Sequence, residues 1–267
     1  MRKISIVTVS YNAADTIEQT ISSVVNQTYE NIEYILIDGG STDGTVDIIR
    51  KYEDRIAYWV SEPDRGIYDA MNKGIGLATG EIIGIINSDD WYEKNTVYIA
   101  AKCLQDKNVD GVCGSMRYYD ELGRKLPIKD VHSNTDLKML QKGMSIVHPS
   151  VFLRKEFYEK YGIFSLDYPI AADYELFLRA ISGGAVIEYA PELYVNFRLG
   201  GASGQQSLQS VKDVRNARKK HNVPHIKRLA YYCYDTIINY YCIMKKRMNR
   251  KKNEIEDSNI IYMHRKI

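Results

Sequence analysis

Two adjacent carboxylates, Asp89 and Asp90, stand near the end of the stretch Gly80–Tyr92, directly after a short apolar run. The run has the length of a buried strand, which predicts that the pair lies at the strand's carboxyl end. Two neighbouring charges repel, and burying either one unpaired is costly, so the pair favours a bound cation or a positive neighbour. A hard ion such as Mg²⁺ fits, because one or two carboxylates and a substrate diphosphate can complete its coordination.

The same residues also have a purely structural interpretation. Ser88, Asp89 and Asp90 could cap a helix that starts near Lys94, since these residue types accept hydrogen bonds from helix N-termini. The tripeptide alone does not separate a cap from a metal site.

Strands and helices alternate in the segments that would position the carboxylate pair. Continuous apolar runs at 4–9, 32–37 and 56–60 each precede a helical pattern, and the run before Asp89 is the fourth strand. This alternation predicts an α/β fold with a mostly parallel central sheet flanked by helices. Its ligand crevice should lie beyond the strand ends.

Other polar residues also follow predicted strands. Tyr11 and Asn12 come after the first strand, and Asp38 and Asp43 after the second. We expect them to converge with the carboxylate pair on the crevice. The chain lacks a GxGxxG motif after the first strand and a GxxxxGK[ST] motif anywhere, which disfavours a dinucleotide dehydrogenase and a P-loop enzyme.

Farther along, Asp173 begins a helical pattern that includes Leu176 and Phe177. Its position alone favours a helix N-cap over a chemical role. Beyond it, 185–189 is predicted as a strand and 197–203 as a loop.

The composition is that of a protein that needs no disulfide scaffold. Four cysteines without CxxC spacing among 267 residues are typical of a reducing compartment. Met1-Arg2-Lys3 leads directly into a short strand-like run, too short for the apolar core of a signal peptide. We therefore expect a cytoplasmic protein.

Charge is distributed unevenly along the chain. Residues 1–211 carry 21 Lys and Arg against 29 Asp and Glu, whereas residues 212–252 carry 13 against 2. The segment 229–244 is apolar and rich in tyrosine, lies between basic clusters, and is too short to span a bilayer. Such a helix can lie in a membrane interface, or it can pack on the rest of the chain or on a second subunit; the pattern favours neither.

Four sequence blocks, in this order, resemble family 2 of the inverting nucleotide-sugar glycosyltransferases, which have the GT-A fold. The resemblance extends over about residues 1–205 and includes Ala172-Asp173; its blocks are Ile4–Asn12, Ile37–Thr45, Glu62–Gly74 and Thr79–Trp91. It implies a GT-A (Rossmann-like) domain at 1–205, with a nucleotide half at 1–95 and an acceptor half at 96–205. A helical extension at 206–252 and a disordered tail at 253–267 complete the expected organisation.

The resemblance implies roles for the residues that bind the donor. Thr8, Tyr11 and Asn12 would hold the nucleotide base, Asp38 would contact the base or ribose, and Asp89 would lie near the ribose. The next residue after Asp38 departs from the commonest family pattern, Asp-Asp-Gly-Ser, because it is glycine. The uracil contact of that second carboxylate, and with it the identity of the nucleotide, stays open.

The resemblance also implies the groups that act on the reacting bonds. Arg65 would approach the base or diphosphate, Asp90 would bind Mg²⁺ or Mn²⁺, and Asp173 would be the catalytic base. Glu175 and His148 are further candidates, each equally compatible with a structural role.

These observations predict a metal-dependent transferase that adds single sugars to a lipid-linked or polysaccharide acceptor in bacterial surface glycan synthesis, with a UDP-sugar as the first donor to test. The Gln-x-x-Arg-Trp element of processive synthases is missing. The basic C-terminal helices would bring the protein to the inner face of the plasma membrane, and homo-oligomerisation stays open. The alternatives are a nucleotide-sugar-binding scaffold without turnover and a nucleotidyltransferase; nucleic-acid binding is disfavoured because no base-stacking module accompanies the basic block.

Overall fold

The computed structural model describes residues 1–200 and 208–237. The chain divides into two compact units, Met1–Gly204 and Gln205–Ile267. Three predictions lie outside the described residues: the end of the loop at 201–203, the C-terminal helix beyond residue 237, and the tail at 253–267.

The first unit alternates strands and helices, as the sequence predicts for its first half. Its strands are β1 (Ile4–Ser10), β2 (Ile32–Asp38), β3 (Tyr58–Ser61), β4 (Ile82–Asn87), β5 (Trp91–Tyr92), β6 (Gly111–Tyr119), β7 (Val131–His132), β8 (Phe152–Arg154) and β9 (Ile187–Arg198). Its α-helices are α1 (Ile17–Val25), α2 (Thr45–Arg50), α3 (Ile67–Leu77), α4 (Thr96–Cys103), α5 (Leu137–Lys142), α6 (Lys155–Tyr161) and α7 (Ala172–Ser182), with short 3₁₀ turns at Glu53–Arg55 and His148–Ser150.

The second unit contains α8 (Leu208–Lys220) and a further helix, α9, over 225–237. None of the helices within 1–200 and 208–237 combines the length and apolar character that a bilayer crossing requires.

The strands of the described chain form one nine-stranded sheet in the order β3-β2-β1-β4-β8-β6-β9-β5, with β7 paired to β6. β1 runs parallel to both β2 and β4, and the register aligns Ser10 with Asp38 and Val9 with Asn87. The loops that follow these three strands therefore leave the sheet at the same edge. The α/β class is confirmed; the sheet is parallel from β3 to β4 and mixed beyond it, since β8 is antiparallel to both β4 and β6.

The core forms because the central strands are predominantly apolar and are buried on both faces. Every residue of β1 is buried, and helices cover the sheet. α3 approaches β1 so closely that a Cβ at Gly74 would stand 2.2 Å from Val7 Cγ1. Glycine is therefore required there, and this contact fixes the helix that carries Tyr68 and Asp69.

β9 is longer than predicted. It continues to Arg198 rather than ending at Tyr189, so Phe197 and Arg198 belong to a strand and not to the loop. The register against β6 shifts between Cys113 and Ser115, and this irregularity accommodates Pro191 within the strand. The proline and the glutamates on either side of it interrupt the alternation of apolar and polar residues, so the sequence pattern does not predict the full strand.

Candidate active site

A cleft of about 910 Å³ opens beyond the carboxyl ends of β1, β2 and β4. Its walls include Tyr11 and Asn12 after β1, Gly39 and Gly40 after β2, and Asp89 after β4. Ile67 and Ala70 of α3 also line it, as do Asp64, Glu121 and Leu199 from other loops. The structure thus brings three of the seven donor and metal candidates to one cavity wall.

Tyr11 and Asn12 form an exposed corner of the cleft. The Tyr11 side chain is 65% exposed, so a ring face is available to a ligand. Asn12 adopts a left-handed conformation with a φ of 48°, which asparagine tolerates better than most residues. Its Oδ1 accepts a hydrogen bond from the Thr42 backbone N–H at 2.9 Å, and this contact connects the loops after β1 and β2.

Asp38 is turned away from the cavity, contrary to the expectation of direct contact with base or ribose. It is fully buried, and its carboxylate accepts hydrogen bonds from the hydroxyls of Ser10, Ser41 and Ser61 and from the backbone N–H groups of Gly40 and Ser41. Burial opposes the charged form, but these donors outweigh it and lower the pKa of Asp38. The carboxylate holds the loop after β2 in shape, because its acceptor sites are occupied.

Thr8 is likewise directed into the protein. Its side chain is fully buried, and its hydroxyl accepts a hydrogen bond from the Tyr34 hydroxyl at 3.0 Å. Thr8 does not belong to the cleft wall. The contact between Thr8 and the base stays a prediction; in this structure the residue is inside a central strand whose side chains are all buried.

The carboxylate of Asp64 stands beside Gly39, where the sequence departs from the commonest family pattern. A Cβ built at Gly39 would lie 2.6 Å from Asp64 Oδ2 and 3.4 Å from the Tyr11 ring. Asp64 Oδ1 accepts a hydrogen bond from the Gly66 N–H at 2.7 Å, which fixes the orientation of the side chain. The loop after β3 thus places a carboxylate beside Gly39, where the loop after β2 has none.

Asp90 is fully buried directly behind the cleft residue Asp89. Its Oδ1 accepts a hydrogen bond from the Arg198 backbone N–H at 3.2 Å, whereas its Oδ2 has no hydrogen-bond partner among the described residues. Burial, reinforced by the negative charge of Asp89, raises the pKa of Asp90 well above its usual value. Burial also raises the pKa of Asp89. An unsatisfied buried carboxylate oxygen is costly unless a further group compensates it.

The capping interpretation of these residues is wrong. α4 begins at Thr96 with Asn95 as its N-cap, and β5 intervenes between Asp90 and that helix. The carboxylates are therefore too far along the chain from the helix N-terminus to cap it.

The residues present fit a divalent cation at Asp90. Within the parts of the chain that the structure describes, no cluster of three or more His, Cys, Asp or Glu side chains could hold a metal by itself. One carboxylate with a free, buried oxygen next to an open cleft is nevertheless the type of partial site that Mg²⁺ shares with substrate phosphates.

Arg198, at the end of β9, contacts the loop that contains Asp89 and Asp90 and fixes its position. The sequence analysis did not identify this arginine. Its Nε donates to the Asp89 carbonyl at 3.3 Å, its Nη1 to the Glu121 carbonyl at 2.9 Å, and its Nη2 to the Gln19 side chain. The guanidinium also lies 5.2 Å from the centre of the Trp91 ring. Its charge lowers the pKa of both aspartates, although burial outweighs this effect.

Arg65 is held at the surface next to the cleft. Its guanidinium forms an ion pair with Asp69 at 2.8 Å, and 77% of the side chain is exposed. Its neighbours Asp64 and Gly66 line the cavity, but Arg65 does not. The expected contact with the base or diphosphate would require the side chain to leave Asp69.

Asp173 lies in the first turn of α7 and is not its N-cap, a position that Ala171 occupies. Its Oδ1 is 2.9 Å from the Tyr68 hydroxyl and accepts the Tyr174 N–H at 2.8 Å. The carboxyl group is partly exposed, and its Oδ2 makes no hydrogen bond within the described part of the chain. Asp173 does not line the cleft; it is connected to the cleft through α3, which contributes Ile67 to the wall.

The two further candidates differ in their surroundings. His148 lies against the rings of Phe164 and Phe177; burial lowers its pKa, although the charge of Asp173 acts in the opposite direction. Glu175 is fully buried and forms an ion pair with Arg179 at 3.0 Å, which identifies it as a structural residue.

Comparison with known proteins identifies relatives of the chain. Residues 5–162 match the family described as glycosyl transferase family 2. An uncharacterised glycosyltransferase of Mycobacterium tuberculosis is 34% identical over 189 residues, which cover 66% of this chain and 68% of that protein. A PGL/p-HBAD biosynthesis glycosyltransferase of Mycobacterium bovis is 29% identical over 187 residues, covering 68% and 71%.

Solved structures with low sequence identity share the fold. S. aureus TarS in complex with UDP superposes with a TM-score of 0.63 at 17% identity, covering 88% of this chain and 70% of that one. The mannosyltransferase PcManGT of Pyrobaculum calidifontis, in complex with GDP-Man and Mn²⁺, gives a TM-score of 0.64 at 19% identity, covering 90% and 71%. These similarities confirm the predicted GT-A fold class.

Proposed function

The chain belongs to glycosyl transferase family 2, and from this premise we propose that it is an inverting transferase that moves a sugar from a nucleoside-diphosphate-sugar to a hydroxyl group of a lipid-linked or polysaccharide acceptor. The observation that carries the proposal is the buried, unsatisfied oxygen of Asp90 behind a cleft at the strand ends. Residues 1–95 would hold the donor, and residues 96–205 would shape the acceptor side.

Each residue has a proposed role that follows from its surroundings. Tyr11, Asn12 and Asp89 contact the donor in the cleft, and Asp90 holds Mg²⁺ or Mn²⁺ together with the diphosphate. The cation, when bound, would neutralise charge that develops on the departing diphosphate. Arg65 contacts the same diphosphate after release from Asp69, and Asp38 and Thr8 maintain the shape of the donor loop.

The proposed reaction requires one proton transfer. An acceptor hydroxyl oxygen attacks the anomeric carbon from the face opposite the diphosphate, and the bond from that carbon to the diphosphate oxygen breaks with its electron pair. Asp173 takes the hydroxyl proton as general base, through the oxygen that no neighbouring donor occupies. Attack from the opposite face inverts the anomeric configuration.

The name of a relative supports the lipid-linked acceptor, whereas ligands bound to structural neighbours support the nucleotide. One relative is named for PGL/p-HBAD biosynthesis, and the structural neighbours hold UDP in one case and GDP-Man with Mn²⁺ in the other. A UDP-sugar remains the first donor to test, with GDP-mannose as the second.

The decisive experiment measures which nucleotide binds and which product leaves. A thermal-shift panel of UDP, GDP, ADP and CDP, with and without Mn²⁺, should raise the melting temperature for one diphosphate, and more so with metal, because ligands that bind only the native state stabilise it. Incubation with the matching nucleotide-sugar and a lipid-phosphate acceptor should release the nucleoside diphosphate. Release of pyrophosphate would favour the nucleotidyltransferase. Binding of the nucleotide-sugar without release of a nucleoside diphosphate, whichever acceptor is added, would favour the scaffold without turnover.

We expect Asp64 to contribute to base recognition through the carboxylate that it places beside Gly39. Replacing Asp64 with Asn should weaken binding of the preferred nucleoside diphosphate roughly tenfold, as expected for loss of one charged hydrogen bond. The difference in affinity between this nucleotide and those with other bases should become smaller. Titration calorimetry checks this. Asp47→Asn, an exposed carboxylate on α2, is the control; equal affinities in Asp64→Asn and wild type would exclude the role.

A further inference from the structure

The second unit contains a helical hairpin with an unusual distribution of polarity. α8 ends in a turn at Asn222, whose φ is 57°, and the Val223 N–H donates to the Arg218 carbonyl at 3.0 Å. α9 then begins at residue 225. The contacts between the two helices determine which face of α9 is turned inward.

Charged and aromatic groups form the inner side of the hairpin. Arg218 is 1% exposed, and its Nη1 lies 2.5 Å from Asp235 Oδ2. The same guanidinium lies 5.2 Å from the centre of the Tyr231 ring, and Arg215 lies 4.8 Å from that of Tyr232. α9 therefore turns positions 231, 232 and 235 toward α8.

Apolar side chains occupy the outer face of α9. Ile226, Leu229 and Ile237 are 83%, 58% and 66% exposed, and they follow a helical spacing that also includes the exposed Ala230 and Cys233. We call these five residues the α9 stripe. A helix of a water-soluble hairpin has the opposite arrangement, with such residues inward.

The described part of the second unit, α8 and α9 together, is positively charged. Residues 208–237 carry seven Lys and Arg against two Asp, a net charge of +5. The exposed charges are all cationic, at Lys212, Arg215, Lys219, Lys220 and Lys227, whereas Asp213 is buried and Asp235 is paired with Arg218.

We propose that the α9 stripe inserts into the interface of an anionic membrane, with Lys227, Arg228 and the exposed cations of α8 attracted to the lipid headgroups. Apolar bulk flanked by Lys and Arg is the pattern of helices that lie in such an interface. A second copy of the chain is a poorer occupant, because a symmetric contact would bring two equally cationic surfaces together. The proposal rests on the proposed function, since a membrane surface is where a lipid-linked acceptor is found.

Vesicle flotation of the full-length protein tests the proposal. Vesicles with 30% phosphatidylglycerol should bind wild-type protein, and vesicles of phosphatidylcholine alone should bind it at least tenfold more weakly, because the cations then lose their partner. Ile226→Ser/Leu229→Ser should reduce binding to the anionic vesicles about a hundredfold, roughly tenfold for each apolar side chain removed. Tyr98→Ser, which removes a 54% exposed side chain from α4 in the first unit, is the control.

The outcomes distinguish this proposal from the proposed function. Flotation is measured without nucleotide-sugar, and the melting temperature with nucleoside diphosphate checks that each variant is folded and keeps its cleft. If the double Ser variant floats with anionic vesicles as strongly as the wild type does, the membrane contact is overturned. If the variant also loses a dimer that the wild type forms in sedimentation, the α9 stripe is a contact between two copies of the chain. Flotation as expected without any response to nucleotides would support the membrane contact and contradict only the transferase.

Discussion

Replacement of Asp90 with Asn is expected to reduce sugar transfer by roughly three orders of magnitude, the scale measured when a group that stabilises transition-state charge is removed. The response of the melting temperature to Mn²⁺ in the presence of nucleoside diphosphate should disappear as well. The reason is that Asp90 provides the buried, unsatisfied oxygen in the proposed metal site, and a neutral amide is a poor substitute for it.

The same substitution should stabilise the metal-free protein. Asp90 is buried next to Asp89, and its pKa is raised, so the native state holds the proton more tightly than the unfolded state does. Wild-type stability therefore falls as pH rises from the unfolded pKa, about 4, through the raised pKa of the folded state. Asn has no charge to bury, so the free energy of unfolding of Asp90→Asn should exceed that of wild type by a margin that grows with pH. The margin should reach about 1–3 kcal/mol at pH 8.

Urea unfolding in EDTA at pH 5 and pH 8 measures this effect. Asp47→Asn, which changes an exposed carboxylate in α2, should alter neither stability nor transfer. A stability of Asp90→Asn below wild type at pH 8, or a preserved Mn²⁺ response, would mean that Asp90 is balanced by a protein group and does not bind metal.

The positions of the loops after β1, β2 and β4 follow from the sequence, because the residues that determine them are local. β1, β2 and β4 are predominantly apolar runs, and each is followed by polar or glycine residues. Strands buried on both faces in alternation with helices form a parallel sheet, and its strand ends share one edge. Tyr11, Asn12 and Asp89 therefore reach one cleft.

The direction of each side chain does not follow from the same pattern. Thr8 and Asp38 lie near strand ends, yet their polar groups are bonded to Tyr34 and to the serines around Asp38. These partners belong to neighbouring strands and loops, and pairing across a sheet cannot be derived from spacing along the chain.

Contacts over long sequence separation are the least visible in the sequence. Arg198 reaches Gln19 and Asp89, which are more than 100 residues away, and it belongs to a strand that Pro191 makes irregular. The proximity of Asp64 to Gly39 is equally hidden, since the sequence showed only that the second carboxylate after Asp38 is missing.

Replacement of Asp173 with Asn should lower kcat by roughly 10²- to 10⁴-fold, the range for loss of a general base, without changing the affinity for nucleoside diphosphate. The amide oxygen can still accept hydrogen bonds from Tyr68 and from the Tyr174 N–H, so the fold of α7 should be kept. Steady-state transfer with saturating donor and acceptor measures kcat, and calorimetric titration measures the affinity for nucleotide.

The control for Asp173 is Asp167→Asn, an exposed carboxylate shortly before α7, which should transfer sugar at the wild-type rate. A loss of nucleotide affinity equal to the loss of kcat would identify Asp173 as a donor-binding residue, because a base that acts only on the acceptor proton contributes little to donor binding. An unchanged kcat would exclude it as the base. His148 would then be the next group to replace, since it lies close enough to Asp173 for the charge of that residue to act on its pKa.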